Sequence, residues 1–207
     1  MKPLLSLLIL LLLGNCLKAQ SNNDITINIS AHPVLNRNEF LIDITRHNNV
    51  ITLAYTVLDS ISYTNLNNNP RFVTLASGIK AKNLDNATAQ TMQAEINTLI
   101  KKQSYYSRDS IIINAETDTA YTNLLNKIGA ASTSVLENTE VNKHRHVLDG
   151  IQFRFSISTA NTNREIFAHS PNAASHPLLY NLIEETLGMY RKLKGDTFLT
   201  KYKTGYY

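Results

Sequence analysis

The sequence predicts an α+β fold: a mainly antiparallel sheet built from β-hairpins, with helices packed on one of its faces. Two observations lead to this class. The β-rich runs come in adjacent pairs joined by short turns, which is typical of antiparallel sheets. Stretches with the apolar spacing of amphipathic helices lie between and after these pairs, instead of alternating with single strands.

The first part of the chain predicts three strands. Ile25, Ile27 and Ile29 alternate with polar residues, which is the period of a half-buried strand. The next run repeats this alternation, and the compact turn 46–49 joins it to a longer β-rich run, so these two runs predict a hairpin. The three predicted strands cover residues 24–30, 39–45 and 50–58.

The middle of the chain predicts helices around one short strand. Asn69 can cap a helix that starts at Pro70, because proline suits the first helical position. A second helix carries Met92 and Ile96 on one apolar stripe, and the ambiguous stretch 130–143 favours a further short helix. The three longer predicted helices cover residues 70–78, 86–103 and 119–128, and Gly129 closes the last of them. The predicted strand covers residues 110–114.

The last part of the chain predicts a second hairpin and a long helix. Asp149 and Gly150 separate two β-rich runs, and this dipeptide is a strong hairpin signal. The final helix opens at Pro177 and has Gly195 at its C-cap position. The three predicted strands before this helix cover residues 144–148, 151–159 and 164–169.

Two blocks of the chain follow the same plan, which suggests a two-fold hairpin–helix repeat. In each block a hairpin precedes a helix that begins at a proline: residues 40–57 precede Pro70, and residues 153–169 precede Pro177. If the repeat is real, two similar halves share one sheet. A hairpin followed by a helix is also a common arrangement, so chance similarity is the alternative.

An apolar leader at the N-terminus predicts export. Lys2 precedes an apolar run from Leu4 to Leu13, which is too short for a membrane span and has the length of a signal-peptide core. Small Ala19 fits the position before a signal-peptidase cleavage site. The alternatives are lipid attachment at Cys16, which would anchor the protein in the envelope, and an uncleaved apolar helix.

Cleavage at this site sets the predicted domain organisation. Residues 1–19 form the signal peptide, and residues 20–207 form a single α+β domain of a size that supports its own core. Within it, residues 196–207 are a candidate loose tail. The last seven residues mix lysines with tyrosines, which could give a contact surface for glycans or anionic groups, although chain ends of this kind more often fray.

Composition excludes several classes of function. Cys16 is the only cysteine, so a mature chain starting at Gln20 has no thiolate nucleophile, cysteine-ligated zinc or iron–sulfur cluster. The chain has 20 Lys and Arg against 16 Asp and Glu, and Lys2 and Lys18 leave with the leader. The small remaining positive charge gives no reason to expect nucleic-acid binding. The sequence also lacks the motifs of nucleotide-binding proteins and serine hydrolases.

His144 and His146 are the candidate metal ligands. Residues two apart on a strand point to the same face, so both imidazoles could meet one ion there. His169, His176 or Asp149 could supply a third ligand. The alternative interpretation is a solvated strand edge.

Two groups of carboxylates lie close together in the sequence and are candidates for acid–base chemistry. Glu137, Glu140 and His144 have the spacing of one helix face, although an exposed helix side explains this spacing equally. Glu184 and Glu185 are adjacent on the final helix and point about 100° apart. We therefore expect these two carboxylates to be solvated and not to act as an acid–base pair.

These patterns lead us to expect a non-catalytic exported bacterial domain, in the periplasm or on the cell surface. It would bind another envelope protein or a glycan, and it would contact the membrane only with a lipid on Cys16. No catalytic residue, cofactor-binding residue or cofactor is assigned. The alternative is an exported hydrolase or metal-dependent enzyme that uses His144 and His146.

Overall fold

The computed structural model describes residues 24–33, 39–80, 84–205 and 207. These residues form two compact units. Unit 2 runs from Leu58 to Ser107, and unit 1 contains the described residues on either side of it. The elements are β1 (Ile25–Pro33), β2 (Phe40–His47), β3 (Val50–Ile61), α1 (Tyr63–Asn67), α2 (Pro70–Gly78), α3 (Asn86–Lys102), β4 (Ser104–Asn114), α4 (Thr119–Ala130), α5 (Thr133–Glu137), α6 (Thr139–Asn142), β5 (Ile151–Thr159), β6 (Asn163–His169) and α7 (Pro177–Lys194).

The six strands form one antiparallel sheet in the order β4-β3-β2-β1-β5-β6. The register aligns the apolar residues of neighbouring strands, so that Ile27 of β1 lies opposite Ile44 of β2 and Ile157 of β5. Because side chains alternate between faces, this register puts all three on the buried face. The α+β class and the hairpin-built antiparallel sheet are confirmed.

The core of unit 1 lies between this sheet face and the helices. α4 contributes Leu125 and Ile128, and α7 contributes Leu182 and Leu187, all of them fully buried. The opposite face carries exposed polar side chains. On that face the amide of Asn28 donates to an Asp43 carboxylate oxygen at 2.7 Å, as expected for a sheet with helices on one side.

Unit 2 has a smaller core, which its helices form. Leu66, Leu75 and Ile96 are its buried aliphatic residues, one from each helix. Arg71 on α2 and Glu95 on α3 form a bidentate ion pair, with N–O distances of 2.7 and 2.6 Å. This paired geometry fixes the two helices against each other more strongly than a single exposed contact would.

Several helix boundaries agree with their local sequence signals. The Asn69 side chain accepts hydrogen bonds from two main-chain amides of α2, which has Pro70 at its first position. Pro177 and Gly195 lie at the two ends of α7 as predicted. The prediction that α4 ends at Gly129 was wrong, because the helix continues to Ala130. Helix α1 was not predicted.

The predicted strand 144–148 was wrong: this segment is an irregular loop. The reason lies in the pairing of β5, which has β1 on one edge and β6 on the other. Both edges are therefore occupied, and no place remains for a hairpin partner from the preceding segment. Asp149 and Gly150 mark the entry into β5 instead of a turn between two strands.

The internal repeat stays a prediction. Both hairpins exist, β2 with β3 and β5 with β6, and they flank the central strand β1. Each is followed by a helix with proline at its N-terminus, although α1 precedes the first of these helices. The predicted signal peptide and Cys16 lie outside the described residues. No helix within the described ranges is long and apolar enough to cross a membrane.

The C-terminal segment, a candidate loose tail in the sequence, packs onto unit 1. Leu199 and Thr204 are 1% and 0% exposed. The Arg191 guanidinium of α7 donates to the carbonyl of Leu199 at 2.9 Å, to the hydroxyl of Thr204 at 2.7 Å and to the carbonyl of Tyr207 at 2.6 Å. Three contacts from one planar cation fix this segment against the helix.

Candidate functional site

A cleft of about 340 Å³ opens in unit 1 where β5 begins and β6 ends. Four separate parts of the chain form it: the entry into β5, the segment after β6, one face of α7 and the C-terminal segment. The lining residues are Gly150, Ile151, Ser170, Pro171, Tyr180, Glu184, Gly205 and Tyr207.

Two glycines allow the walls of the cleft to approach each other. Gly150 has φ +148°, and a Cβ atom there would lie 1.9 Å from the Ser170 hydroxyl oxygen. Gly205 has φ +67°, and a Cβ there would lie 1.9 Å from Cδ1 of Ile151. Other residues would be strained and would also collide with their neighbours at these positions, so the cleft depends on both glycines.

Ser170 joins the floor of the cleft to β5. Its main-chain amide donates to the Ile151 carbonyl at 2.8 Å, and its hydroxyl oxygen accepts from the Ile151 amide at 3.1 Å. The hydroxyl proton has no acceptor among the described residues and remains available for donation. Nearby, Nε2 of His169 is buried and has no hydrogen-bond partner within the described residues. Both groups lie beside Gly150.

Tyr180, Glu184 and Tyr207 form the opposite side of the cleft. Tyr180 and Glu184 are one turn apart on α7 and therefore share a face. The Tyr180 and Tyr207 rings lie 6.2 Å apart at 56°. The Tyr207 hydroxyl donates to the Pro171 carbonyl at 2.8 Å, and burial raises the pKa of Tyr207 above its ordinary value. Glu184 makes no hydrogen bond or ion pair with any described residue.

Arg145 lies behind the cleft and holds its floor. Its guanidinium donates to the main-chain carbonyl of His169 and, at 2.8 Å, to that of Ser170. Ser170 has a left-handed φ of 46°, which is uncommon for a residue other than glycine. The two bonds from Arg145 help to hold this turn, so the guanidinium has a positioning role at the cleft.

A buried histidine, His176, lies at the N-terminus of α7. Burial, followed by the charge of Arg145, lowers its pKa, so the imidazole is neutral at neutral pH. The Asn142 side-chain nitrogen lies 3.2 Å from Nε2 of His176, and it also contacts the Glu137 and Ser175 carbonyls. Because two carbonyls face this nitrogen at 2.7 and 2.8 Å, it is the donor end of the amide, and both of its protons have acceptors without Nε2.

The same imidazole lies beside Ser175. Nδ1 of His176 is 3.0 Å from the Ser175 hydroxyl oxygen, and the tautomer of the imidazole decides which of the two atoms donates. Both residues are also only 4% exposed. Because both side chains are closed off from solvent, the pair fixes the entrance to α7 and offers no nucleophile that a substrate could reach.

The candidate metal ligands are not brought together. His144 and His146 are exposed and lie in the irregular loop before β5, so the same-face argument, which required a strand, does not apply to them. Within the described ranges, no group of three or more His, Cys, Asp or Glu side chains could hold a metal ion.

The carboxylate patterns have different outcomes. Glu137 and Glu140 lie on separate short helices, so the spacing of one helix face does not apply, and Glu140 pairs with Lys143 at 3.1 Å. Glu185 is exposed, as expected, but Glu184 is half-buried and lines the cleft.

The cleft could not be predicted from the sequence. Its one local signal was on α7, where Tyr180, Glu184 and Arg191 are spaced by four and seven residues and so lie along one side of the apolar stripe. The remaining lining groups come from distant segments. Comparison of the chain with models of protein families, with curated proteins and with solved structures gives no match.

Proposed function

We propose that this protein is an exported bacterial protein of the periplasm or cell envelope that binds a small ligand, or a small part of an envelope glycan or protein, without catalysis. The proposal of export rests on the leader, in which Lys2 precedes the apolar run from Leu4 to Leu13 and Ala19 fits a cleavage site. The proposal of binding rests on the cleft of unit 1.

The main support for the binding proposal is the geometry of this cleft. Gly150 and Gly205 bring its walls together, and side chains with free polar groups converge on it. A concave site with a few placed polar groups is the usual form of a ligand-binding site. The adjacent Ser175–His176 pair is only 4% exposed, so a substrate cannot reach its hydroxyl, which favours binding over hydrolysis.

The alternative function, an exported hydrolase or metal-dependent enzyme, would use His144 and His146. Both residues are exposed in a loop, and this position does not support that function. A histidine pair without a third ligand also falls short of the three protein ligands of a catalytic zinc site. We therefore keep the cleft as the functional site and do not assign a reaction to it.

Export can be tested with the full chain in a bacterial host. We expect the protein in the periplasmic or membrane fraction, with an intact mass that corresponds to a chain starting at Gln20 or to an acylated chain starting at Cys16. Recovery from the cytosol with the leader still attached would contradict the proposal.

Binding can be tested by thermal shift with sugars, amino acids and peptidoglycan fragments. A cleft-filling variant, Glu184→Phe, is compared with Glu185→Phe, which places the same side chain on the exposed face of the same helix. We expect a ligand to raise the Tm of the wild-type and Glu185→Phe proteins but not that of Glu184→Phe. Ligands that stabilise all three proteins equally, or none at all, would contradict binding in the cleft.

A further inference from the structure

We propose that the cleft recognises an organic ammonium group, with Glu184 as the anionic partner and Tyr180 and Tyr207 as the aromatic walls. This inference rests on the proposed binding function and names the chemical class of the ligand. The class includes amino sugars and the free amines of amino acids and short peptides, which share a charged nitrogen next to polar groups.

The first argument is the unpaired carboxylate. Glu184 is half-buried in the cleft and makes no ion pair or hydrogen bond with any described residue. The guanidinium groups of Arg145 and Arg191 bond the main-chain carbonyls of the lining residues Ser170 and Tyr207. The charge of Arg191 interacts with that of Glu184, but neither guanidinium forms an ion pair or hydrogen bond with this carboxylate. The carboxylate therefore keeps its full capacity to accept charge-assisted hydrogen bonds from a ligand.

The second argument is the aromatic surroundings of this carboxylate. The rings of Tyr180 and Tyr207 line the same cleft, with their centroids 6.2 Å apart. The electron-rich face of an aromatic ring attracts cations, and an ammonium group gains more from this attraction when it is shielded from water. A neutral donor can also bond to the carboxylate, but only a cation gains from the negative charge and from the electron-rich rings together.

The third argument concerns the groups beside the charge. On the other side of the cleft, the Ser170 hydroxyl oxygen accepts from the Ile151 amide, and its proton has no acceptor within the described residues. A ligand that carries a hydroxyl or carbonyl oxygen next to its ammonium group could accept this proton, whereas a simple alkylamine could not.

The inference can be tested by amide-resolved NMR titration of the full chain with matched probe pairs. Glucosamine is compared with N-acetylglucosamine, and alaninamide with N-acetylalaninamide, so that each pair differs in the ammonium charge. We expect the ammonium member of at least one pair to shift the amide signals of Gly150, Ser170 and Gly205, which line the cleft. The pair that responds distinguishes an amino sugar from a peptide amine.

Glu184→Gln and Glu185→Gln remove the same charge from adjacent positions of α7. The first should weaken ammonium binding about tenfold, and the second should leave it unchanged, because a charge-assisted hydrogen bond contributes this much. The spectra also show whether each variant is folded. Raising the ionic strength from about 0.02 M to about 0.2 M should weaken binding of the ammonium probes further.

Two outcomes would overturn the ammonium assignment. One is equal binding of the charged and acetylated members of both pairs. The other is equal weakening by Glu184→Gln and Glu185→Gln, which would indicate a diffuse charge effect. If ammonium probes fail while other ligands bind in a manner that Glu184→Phe blocks, the ligand class is wrong and the binding function stands. If no ligand shifts these signals, both proposals fail.

Discussion

Replacing Thr186 by valine should destabilise unit 1 through one buried hydrogen-bond chain. Thr186, Tyr121 and Tyr55 are 0%, 2% and 1% exposed. The Thr186 hydroxyl donates to the Leu182 carbonyl at 2.5 Å, so its only proton is used. The Tyr121 hydroxyl, 2.7 Å away, must therefore be the donor to the Thr186 oxygen. Burial also raises the pKa of Tyr121, which keeps this donor protonated.

The size of the effect follows from what each variant leaves unpaired. Thr186→Val has nearly the same shape, but it strands the buried Tyr121 hydroxyl, which should cost about 2 kcal/mol. Tyr121→Phe leaves the Thr186 hydroxyl bonded to Leu182 and should cost about 1 kcal/mol. The Tyr55 hydroxyl bonds to the main-chain carbonyl of Thr186 and is unaffected by either change.

The assay is a double-mutant cycle measured by urea denaturation and far-UV circular dichroism, since the chain has no tryptophan. The double variant removes donor and acceptor together, so its cost should be smaller than the sum of the two single costs by about 1 kcal/mol. The denaturant slope should stay constant across the four proteins. Strictly additive costs, or a Thr186→Val cost below about 0.5 kcal/mol, would refute a stabilising hydrogen bond between these two hydroxyls.

Two other predictions concern the surroundings of the cleft. Gly205→Ala should lower the free energy of unfolding by about 1–3 kcal/mol, because its Cβ would lie 1.9 Å from Ile151 at φ +67°. Gly188→Ala, on α7 with no atom within 4 Å, should raise it by up to about 1 kcal/mol, and thermal denaturation compares the two. The pKa of His176 lies below its ordinary value of 6.5, mainly through burial, so the unfolded chain binds more protons near that pH. The free energy of unfolding should therefore fall as the pH drops from about 7.5 to about 5.5. This pH interval lies above the range in which carboxylates titrate. His176→Gln should reduce this fall in urea denaturation, and an unchanged pH dependence would show that His176 is not its source.

The sheet could be predicted because each strand carries its own burial pattern. Ile25, Ile27 and Ile29 alternate with polar residues, and this period alone identifies a strand with one buried face. The first hairpin also has a local cause, since Asn48 takes the left-handed conformation that its turn requires. Such signals lie within a few consecutive residues, which makes them readable without knowledge of the tertiary structure.

The predicted hairpin between residues 144–148 and β5 does not form, because the choice of partner for β5 is not local. Asp149 and Gly150 have the composition of a two-residue turn, and residues 144–148 have β-forming side chains. In the folded chain, however, β1 pairs with β5 along its whole length, from Ile25 opposite Thr159 to Pro33 opposite Ile151. A strand more than a hundred residues earlier thus takes the edge that a local hairpin would need.

The cleft was harder to predict for a related reason, and the C-terminal segment shows it best. The cations in the last turn of α7 have a sufficient local explanation in the helix dipole, so no local signal indicates a separate role for Arg191. Its guanidinium instead bonds the carbonyls of Leu199 and Tyr207, which fixes the segment that carries Gly205. Two of the residues that line the cleft therefore depend on one arginine. Loss of that arginine should open the cleft without altering the sheet, so the C-terminal segment belongs to the candidate site rather than to the surface around it.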